Sequence, residues 1–433
     1  MVMNVEGRKK ISGSIFVPGD KSISHRAVML ASIASGMSTI SGLSRAQDVR
    51  STIDAIRTLE VPVHDKGGKV MIEGRGLNGF ETQRRSAPLL IDCGNSGTTA
   101  RLLMGLLSGA GISARLTGDQ SLRRRPMDRV VDPLREIGAK ISAESGHLPV
   151  EIRPGRLVPF EYKVPVASAQ VKSAFILAAL FIQGRSVITE FSDTRDHTER
   201  MLVLMNGDIR KRSFVHEKQI IVSGRRELTP LDITIPGDVS SAVFFIALAL
   251  TLPGSEIVVK NMLLNHTRAH VLELFERMGG NIEVKVDDEL PEPMGSVRVR
   301  SSRLNGTTVS GVEIPLVIDE IPAIAAVACF AKGETLIRGA SELRMKESDR
   351  IRSIVDMVRA FGGAIIERED GFLITGGKKL SAARVPTSGD HRIAMAASVI
   401  AANVRGSSRI EDAECVNVSY PGYFDALEEH CSP

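Results

Sequence analysis

Apolar positions along the chain switch repeatedly between helical and alternating spacing, and the switches recur in the same order. An apolar strand (Ile15, Phe16, Val17) ends at the Pro18-Gly19 pair. Helical spacing then sets in with Ala27, Val28, Leu30, Ala31, Ile33 and Ala34. A more charged kind of helix is clearest in residues 132–141, 272–282 and 354–365. Each of these ends at Gly, a C-cap signal, and runs into an apolar strand. The longest apolar runs, residues 174–182 and 242–252, are too short to span a bilayer and read as buried helices.

Self-comparison orders these elements. The stretch VPGDKSIS (residues 17–24) returns as IPGDVSSA (residues 235–242), an internal duplication. Copies of one unit begin near Lys21, Gly97, Lys172, Ser240, Pro322 and Arg392, roughly 70 residues apart and longer than most solenoid repeats. Each unit reads as β-α-β-α-β-β. The expectation is an α/β chain of two similar lobes with three units each: residues 19–231 form one, residues 1–18 plus 232–433 the other, and a cleft separates them.

Every unit has two slots where a helix begins, and their contents differ. The first slots hold Asp20, Lys21, Ser22 and Arg26; then Asn95, Ser96, Gly97, Thr98 and Arg101; then Ser168, Ala169, Gln170 and Lys172. In the second half they hold Asp238, Ser240 and Ser241; Asp319 and Glu320; Asp390, His391 and Arg392. Second-slot residues include Arg125, Arg195 and the group Lys346, Glu347, Arg350. A stability requirement would repeat in every copy. Cations present in some copies and absent from others point instead to a ligand.

Residues 18–26 show the chemistry. Lys21, Ser22 and Arg26 are expected in the first turn of a helix, where unpaired N–H groups and the helix dipole favour anions. Capping by Asp20 or Ser22 is the plainer reading. On a helix, Glu347 would head the apolar stripe of Ile351, Ile354 and Val358, and partial desolvation there would suit it to donate a proton. The plainer alternative is a solvated ion pair with Arg350, worth about 0.2–0.5 kcal/mol. Asp319 follows an apolar segment read as a strand and precedes a Pro-started helix; it is either a cap or a base. Asp390 can cap, and Arg392 behind it can grip a carboxylate.

Composition narrows the partners. The chain has 433 residues, a net charge of +4, 4% aromatics and no Trp, so stacking platforms for nucleic acid are scarce and small anions fit better. Four scattered cysteines without C-x-x-C spacing argue against disulfides and structural zinc, and fit a reducing cytoplasm. No cluster shows metal-ligand spacing, no signal peptide is evident, and neither cofactor nor membrane partner is expected. A monomer is expected because no long exposed apolar stripe is evident.

The motifs PGDKSISHRA (18–27), GNSGTTAR (94–101), RRRPM (123–127), SAQVKSA (168–174), RDHTER (195–200), IDEIP (318–322), LRMKESDRI (343–351) and GDHRIAMA (389–396) together resemble the 5-enolpyruvylshikimate-3-phosphate synthase family, in its second class. The resemblance spans nearly the whole chain. It implies an inside-out α/β barrel in each lobe, and attack of the 5-hydroxyl of shikimate 3-phosphate on phosphoenolpyruvate with loss of phosphate from a tetrahedral intermediate. It implies that Lys21, Ser22, Arg26, Ser168, Ala169, Gln170, Arg195, Asp319 and Lys346 hold shikimate 3-phosphate. Lys21, Gly97, Arg125, Gln170, Arg350 and Arg392 would hold phosphoenolpyruvate. Asp319 would take the hydroxyl proton and Glu347 would protonate the methylene carbon, with Lys21 also catalytic. Glyphosate, which resembles phosphoenolpyruvate, is expected to inhibit, although Leu102 stands where many members have Pro. Many members also carry a lysine before the final aromatic-Pro turn, where this chain reads Asn417-Val418-Ser419-Tyr420-Pro421. Two other readings remain: the sister transferase acting on UDP-N-acetylglucosamine, and a non-catalytic anion-binding repeat protein.

Overall fold

The second, third and fifth copies of the unit each build one sheet by the same rule, and the other three vary it with a strand borrowed from elsewhere in the chain. A leading strand enters a buried helix, and the strand that follows returns parallel to the first, as a helical crossover allows. A second helix then leads into a hairpin whose far strand adds antiparallel. In the second copy Leu89–Asp92 lies parallel to Ala114–Thr117, which pairs antiparallel with His147–Arg153 and, through it, Lys140–Glu144. The helices Gly97–Ala110 and Asp128–Glu136 fill the two connections. This is a computed structural model, and it describes residues 1–81 and 87–432. Six sheets occur among them, one per copy.

The chain forms two compact units, Gly19–Ile235 and Met1–Pro18 with Pro236–Pro433. Each borrows a strand from its far end. In the first unit the leading strand of the opening sheet is Asp232–Thr234, parallel to Ser35–Ser41. In the other, Lys10–Phe16 leads the fourth sheet beside Glu256–Leu263, and Met3–Glu6 completes the sixth against Ser407–Ile410.

Helices of the first slot are buried on nearly every side, as apolar residues all round a helix require. Val239–Thr251 buries Phe244, Phe245, Ile246, Leu248 and Leu250 completely. Ala169–Ala179 is likewise buried from Val171 onward. In the Gly19–Ile235 unit, helices Gly97–Ala110 and Ala169–Ala179 touch backbone to backbone. A Cβ on Gly105 would stand 2.0 Å from the carbonyl oxygen of Ala174. Outer hairpin strands alternate or are exposed throughout, as in Asn281–Asp288, so helices lie inside and sheets outside. The second helices stop where expected: Gly138 and Gly362 follow their ends with φ of +99° and +84°, a backbone region that side chains with a Cβ disfavour.

Three local expectations change. Arg26 falls in the second turn of Lys21–Ser32, not the first, although its Nη1 reaches back to the carbonyl of Ser22. The segment before Asp319 is a short helix, Ile314–Val317, rather than a strand, because Pro315 sits at its start and the run is too short to extend into the sheet. Glu347 does not lie on a helix. The helix is Arg350–Ala360, capped by Asp349 through the N–H of Arg352, and Glu347 precedes that cap. Ile351, Ile354 and Val358 are buried as expected, but Glu347 is not part of their stripe.

Candidate functional site

In the Gly19–Ile235 unit the starts of the three buried helices are tied together by side chains. Asp20 caps Lys21–Ser32 by accepting from the N–H of Ile23 at 2.9 Å. That leaves Lys21 at the first position, where its Nζ meets Oδ2 of Asp48 at 2.7 Å. Asp48 lies in the first turn of Gln47–Thr58, the second slot of this copy. Arg26 is buried: its Nε donates to Oγ1 of Thr198 at 2.9 Å and its Nη2 to Oγ of Ser173 at 3.0 Å. Arg195 donates to Oγ of Ser22 at 2.9 Å. Ser168 caps its helix through the N–H of Val171. Next to Ser168 and Ala169, Gln170 accepts from Arg101 at 2.9 Å and donates to Thr98 at 3.0 Å.

Arg125 donates to Asn95 at 2.8 Å. A Cβ on Gly97 would lie 2.8 Å from Nη1 of Arg101 and 3.5 Å from Nη1 of Arg125, so glycine leaves the space beside two guanidinium groups open. The structure thus gathers Lys21, Ser22, Arg26, Ser168, Ala169, Gln170, Arg195, Gly97 and Arg125 around converging helix starts. Positive dipole ends and four cations there favour a multiply charged anion.

Behind this cluster lies a buried neutral histidine. His25 bonds Oγ1 of Thr52 at 2.6 Å, and Thr52 bonds Thr99. Burial holds the His25 pKa well below the usual histidine value, and the charges of Lys21 and Arg26 push it further the same way.

The other unit assembles a different chemistry around Arg350. Its guanidinium is buried and contacts three carboxylates: Asp390 at 2.8 Å, Asp319 at 3.4 Å, and Glu347. Burial alone would lower the Arg350 pKa, but Asp390, Glu347 and Asp319 outweigh it and raise the value. Asp390 shows the converse balance: burial pushes its carboxyl pKa up, and Arg350 more than compensates, leaving it below the ordinary range. Asp390 also caps the helix His391–Asn403 through the N–H of Arg392 at 2.9 Å. Arg392 stands 3.8 Å from Asp319. Glu347 and Asp319 keep partly exposed side chains, 21% and 16%, whereas Arg350 is at 1%. Lys346 lies next to Glu347, with Glu342 at 3.6 Å. Two partly exposed carboxylates thus share one buried guanidinium, which holds their positions fixed.

The sequence places Asn95, Thr98 and Arg101 at a first slot without assigning them a ligand, Asp390 reads only as a cap, and Asp48 is not among the residues it offers. The signal for Asp48 was its place at the second slot of the first copy. The other partners depend on which helix starts meet, and a single chain read without contacts does not show that.

Belonging to neither group, His266, His270 and Glu273 bring their ligand atoms within 4.8 Å of one another. None of the three drew notice in the sequence. Cys93 and Cys329 are buried and free, and burial raises both thiols to about 12, which leaves no nucleophile there. Among the described residues no helix is long and apolar enough to cross a membrane.

Comparison with known proteins adds a family to this geometry. Residues 5–427 match the family model of EPSP synthase (3-phosphoshikimate 1-carboxyvinyltransferase). The 3-phosphoshikimate 1-carboxyvinyltransferase of Desulforamulus reducens is 43% identical over 97% of both chains. That of Salinibacter ruber is 43% identical over 99% of both. Among solved structures, EPSP synthase from Acinetobacter baumannii superposes with a TM-score of 0.86 at 35% identity, covering 99% of this chain and 98% of its own. The enolpyruvyl transferase NikO from Streptomyces tendae, 16% identical, has a TM-score of 0.78 over 100% and 99% of the two chains, a likeness of fold.

Proposed function

The chain belongs to the EPSP synthase family, and from that membership we propose the parts its side chains take in the family's reaction. The reaction transfers the carboxyvinyl group of phosphoenolpyruvate to the 5-hydroxyl of shikimate 3-phosphate and releases phosphate, a step of aromatic amino-acid biosynthesis. Addition gives a tetrahedral intermediate; elimination of phosphate from it restores the double bond.

In this reading Lys21, Ser22, Arg26, Ser168, Ala169, Gln170 and Arg195 hold shikimate 3-phosphate, with Lys346 and Asp319 at its hydroxyls. Arg125, Gln170 and Lys21 meet the phosphate of phosphoenolpyruvate in the space that Gly97 leaves open, and Arg350 and Arg392 take its carboxylate. Asp319 accepts the proton of the attacking hydroxyl. Glu347 delivers one to the methylene carbon, so that C2 becomes electrophilic as the new C–O bond forms. Return of a proton from the resulting methyl group to the Glu347 carboxylate then expels phosphate, with Lys21 beside the departing oxygen. Bringing two polyanionic substrates together costs Coulomb repulsion, and fixed cations offset that cost most where water is excluded.

The observation that carries the acid–base assignment is the shared placement of Asp319 and Glu347 on the buried Arg350. A common guanidinium fixes the positions of both carboxylates, which keep part of their surface open to water. No cation stands in residues 417–421, so a phosphoenolpyruvate contact there is not assigned. The proposal includes a monomer in a reducing cytoplasm, in keeping with four free thiols.

The test is direct. Purified protein is mixed with both substrates and inorganic phosphate is followed, each substrate being omitted in turn. Phosphate released only with both supports the reading. Release with UDP-N-acetylglucosamine in place of shikimate 3-phosphate would move the acceptor to the sister reaction, and none with either would leave a non-catalytic anion binder.

A further inference from the structure

The helix His266–Arg277 carries His266, His270 and Glu273 on one face, at spacings of four and three residues. The carboxylate of Glu273 faces both rings: Oε1 lies 3.5 Å from Nδ1 of His266, and Oε2 lies 3.0 Å from Nδ1 of His270. The rings meet edge to face with centroids 5.7 Å apart. Nitrogen and oxygen ligands about 2.0–2.2 Å from one ion, at tetrahedral or octahedral angles, stand about 3–3.5 Å from each other. Both Glu273 distances fall in that range.

The other side of His270 sets the direction of its ring. Its Nε2 reaches Oε1 of Glu313 at 3.4 Å, and Arg277 holds Glu313 at 2.6 and 3.3 Å. Glu313 on Nε2 fixes the plane of the ring and turns Nδ1 toward Glu273. Nδ1 is buried and has no hydrogen-bond partner, although a carboxylate oxygen stands 3.0 Å away. A buried ring nitrogen and a carboxylate oxygen thus face each other across a gap of a size that a metal ion bridging them would set. A histidine whose second nitrogen donates to a carboxylate while the first points at other ligands is the usual arrangement of a metal-bound imidazole.

We infer that this helix face takes a divalent ion of the zinc type, ligated by Nδ1 of His266, Nδ1 of His270 and the Glu273 carboxylate, with water filling the remaining position. The donor set of two imidazoles and one carboxylate suits Zn2+, Co2+ or Ni2+ over Ca2+ or Mg2+, which prefer oxygen. The site clamps the first two turns of the helix. Arg268, on the same helix, is buried and joins Asp238 and Glu320 at 2.8 and 3.2 Å, so the ion adds stability where that network anchors. None of these residues belongs to the proposed catalytic groups, and the site has no part in the transfer reaction.

Calorimetric titration of the full chain with ZnCl2 tests this. One equivalent should bind with micromolar affinity, and the melting temperature should rise with metal, since binding to the native state alone stabilises it by mass action. His266 is exposed, so His266→Ala should fold and bind at least about 10-fold more weakly, and Glu273→Gln likewise; Glu313→Gln should lose about 10-fold through the orientation of His270. Co2+ bound at the site should show weak visible bands without thiolate charge transfer, which separates it from cysteine ligation. Binding that is equal in wild type, His266→Ala and Glu273→Gln would overturn the inference. So would the absence of binding at about millimolar metal; a proton on Nδ1 of His270, seen in its 15N shifts, would then fill the gap instead.

Discussion

At the scale of single residues, what matters is which charge each side chain faces. Lys21→Ala removes the Nζ that meets Asp48 but leaves the Asp20 cap intact. The variant should fold with a melting temperature within a few degrees of wild type. Its phosphate release should fall about 100-fold or more, the size expected for losing one preorganised charge; circular dichroism and the phosphate assay together check this. Gly97→Ala would push a Cβ against Arg101 and crowd Arg125, so it should raise the KM for phosphoenolpyruvate more than that for shikimate 3-phosphate. Glyphosate should inhibit the wild type, and an inhibition curve unchanged by glyphosate far above the substrate level would contradict the proposed anion site.

His25 sets a pH dependence. Its folded pKa lies well below the unfolded value of about 6.5, so the unfolded state takes up a proton first as pH falls. The stability it contributes is complete above about pH 6.5 and is lost progressively toward the folded pKa. Asp390, depressed in the fold, adds a second loss that begins below about pH 4. Urea midpoints should drop between pH 7 and pH 5, and less steeply in His25→Asn; equal slopes in the two proteins would show that His25 does not carry the effect.

At the scale of elements, helix contacts rest on missing side chains as much as on buried ones. Gly105→Ala places a Cβ 2.0 Å from the Ala174 carbonyl, a backbone atom that cannot swing aside. Overpacking of this kind costs about 1–3 kcal/mol, and a denaturant titration should read it as a lower midpoint at unchanged slope. Helix existence was legible in the sequence because apolar spacing reports burial directly: residues 174–182 and 242–252 fall within or beside buried helices. Helix starts were less legible. The charged run at 342–350 has helical composition throughout, yet Asp349 captures the N–H of Arg352 and begins the helix only at Arg350. A local side-chain bond of this kind overrides periodicity. Ile314–Val317 deceived for the opposite reason: a short apolar run carries no period, and only the proline distinguished it from a strand.

At the scale of the molecule, the sixfold unit was readable from self-similarity, since the same strand order recurs in five of the six sheets of the described residues. The strands each unit borrows from its far end were not, because Asp232–Thr234 and Met3–Glu6 are short and gain meaning only from their partners. Repetition also explains why the candidate site could be read at all. Equivalent helix starts carry Lys21 and Gln170 in one unit and Asp319 and Arg392 in the other, and such differences stand out against a shared plan. What could not be read was pairing, such as Lys21 with Asp48 or Arg350 with Asp390, residues 27 and 40 positions apart in the chain. Sedimentation at working concentration should give the mass of one chain, 46.7 kDa; a species of twice that mass would contradict the proposed monomer.

The claim on which the account turns is that Glu347 supplies a proton rather than merely bracing Arg350. Glu347→Gln keeps size and hydrogen bonding but removes the transferable proton, so two quantities should be measured on one preparation: the dissociation constant for shikimate 3-phosphate and the rate of phosphate release at saturating substrates. Affinity should stay within a few-fold of wild type while the rate falls by about 100- to 10,000-fold, the range for losing a general acid. A wild-type rate at saturation, or a loss confined to binding, would show that Glu347 only holds Arg350 in place.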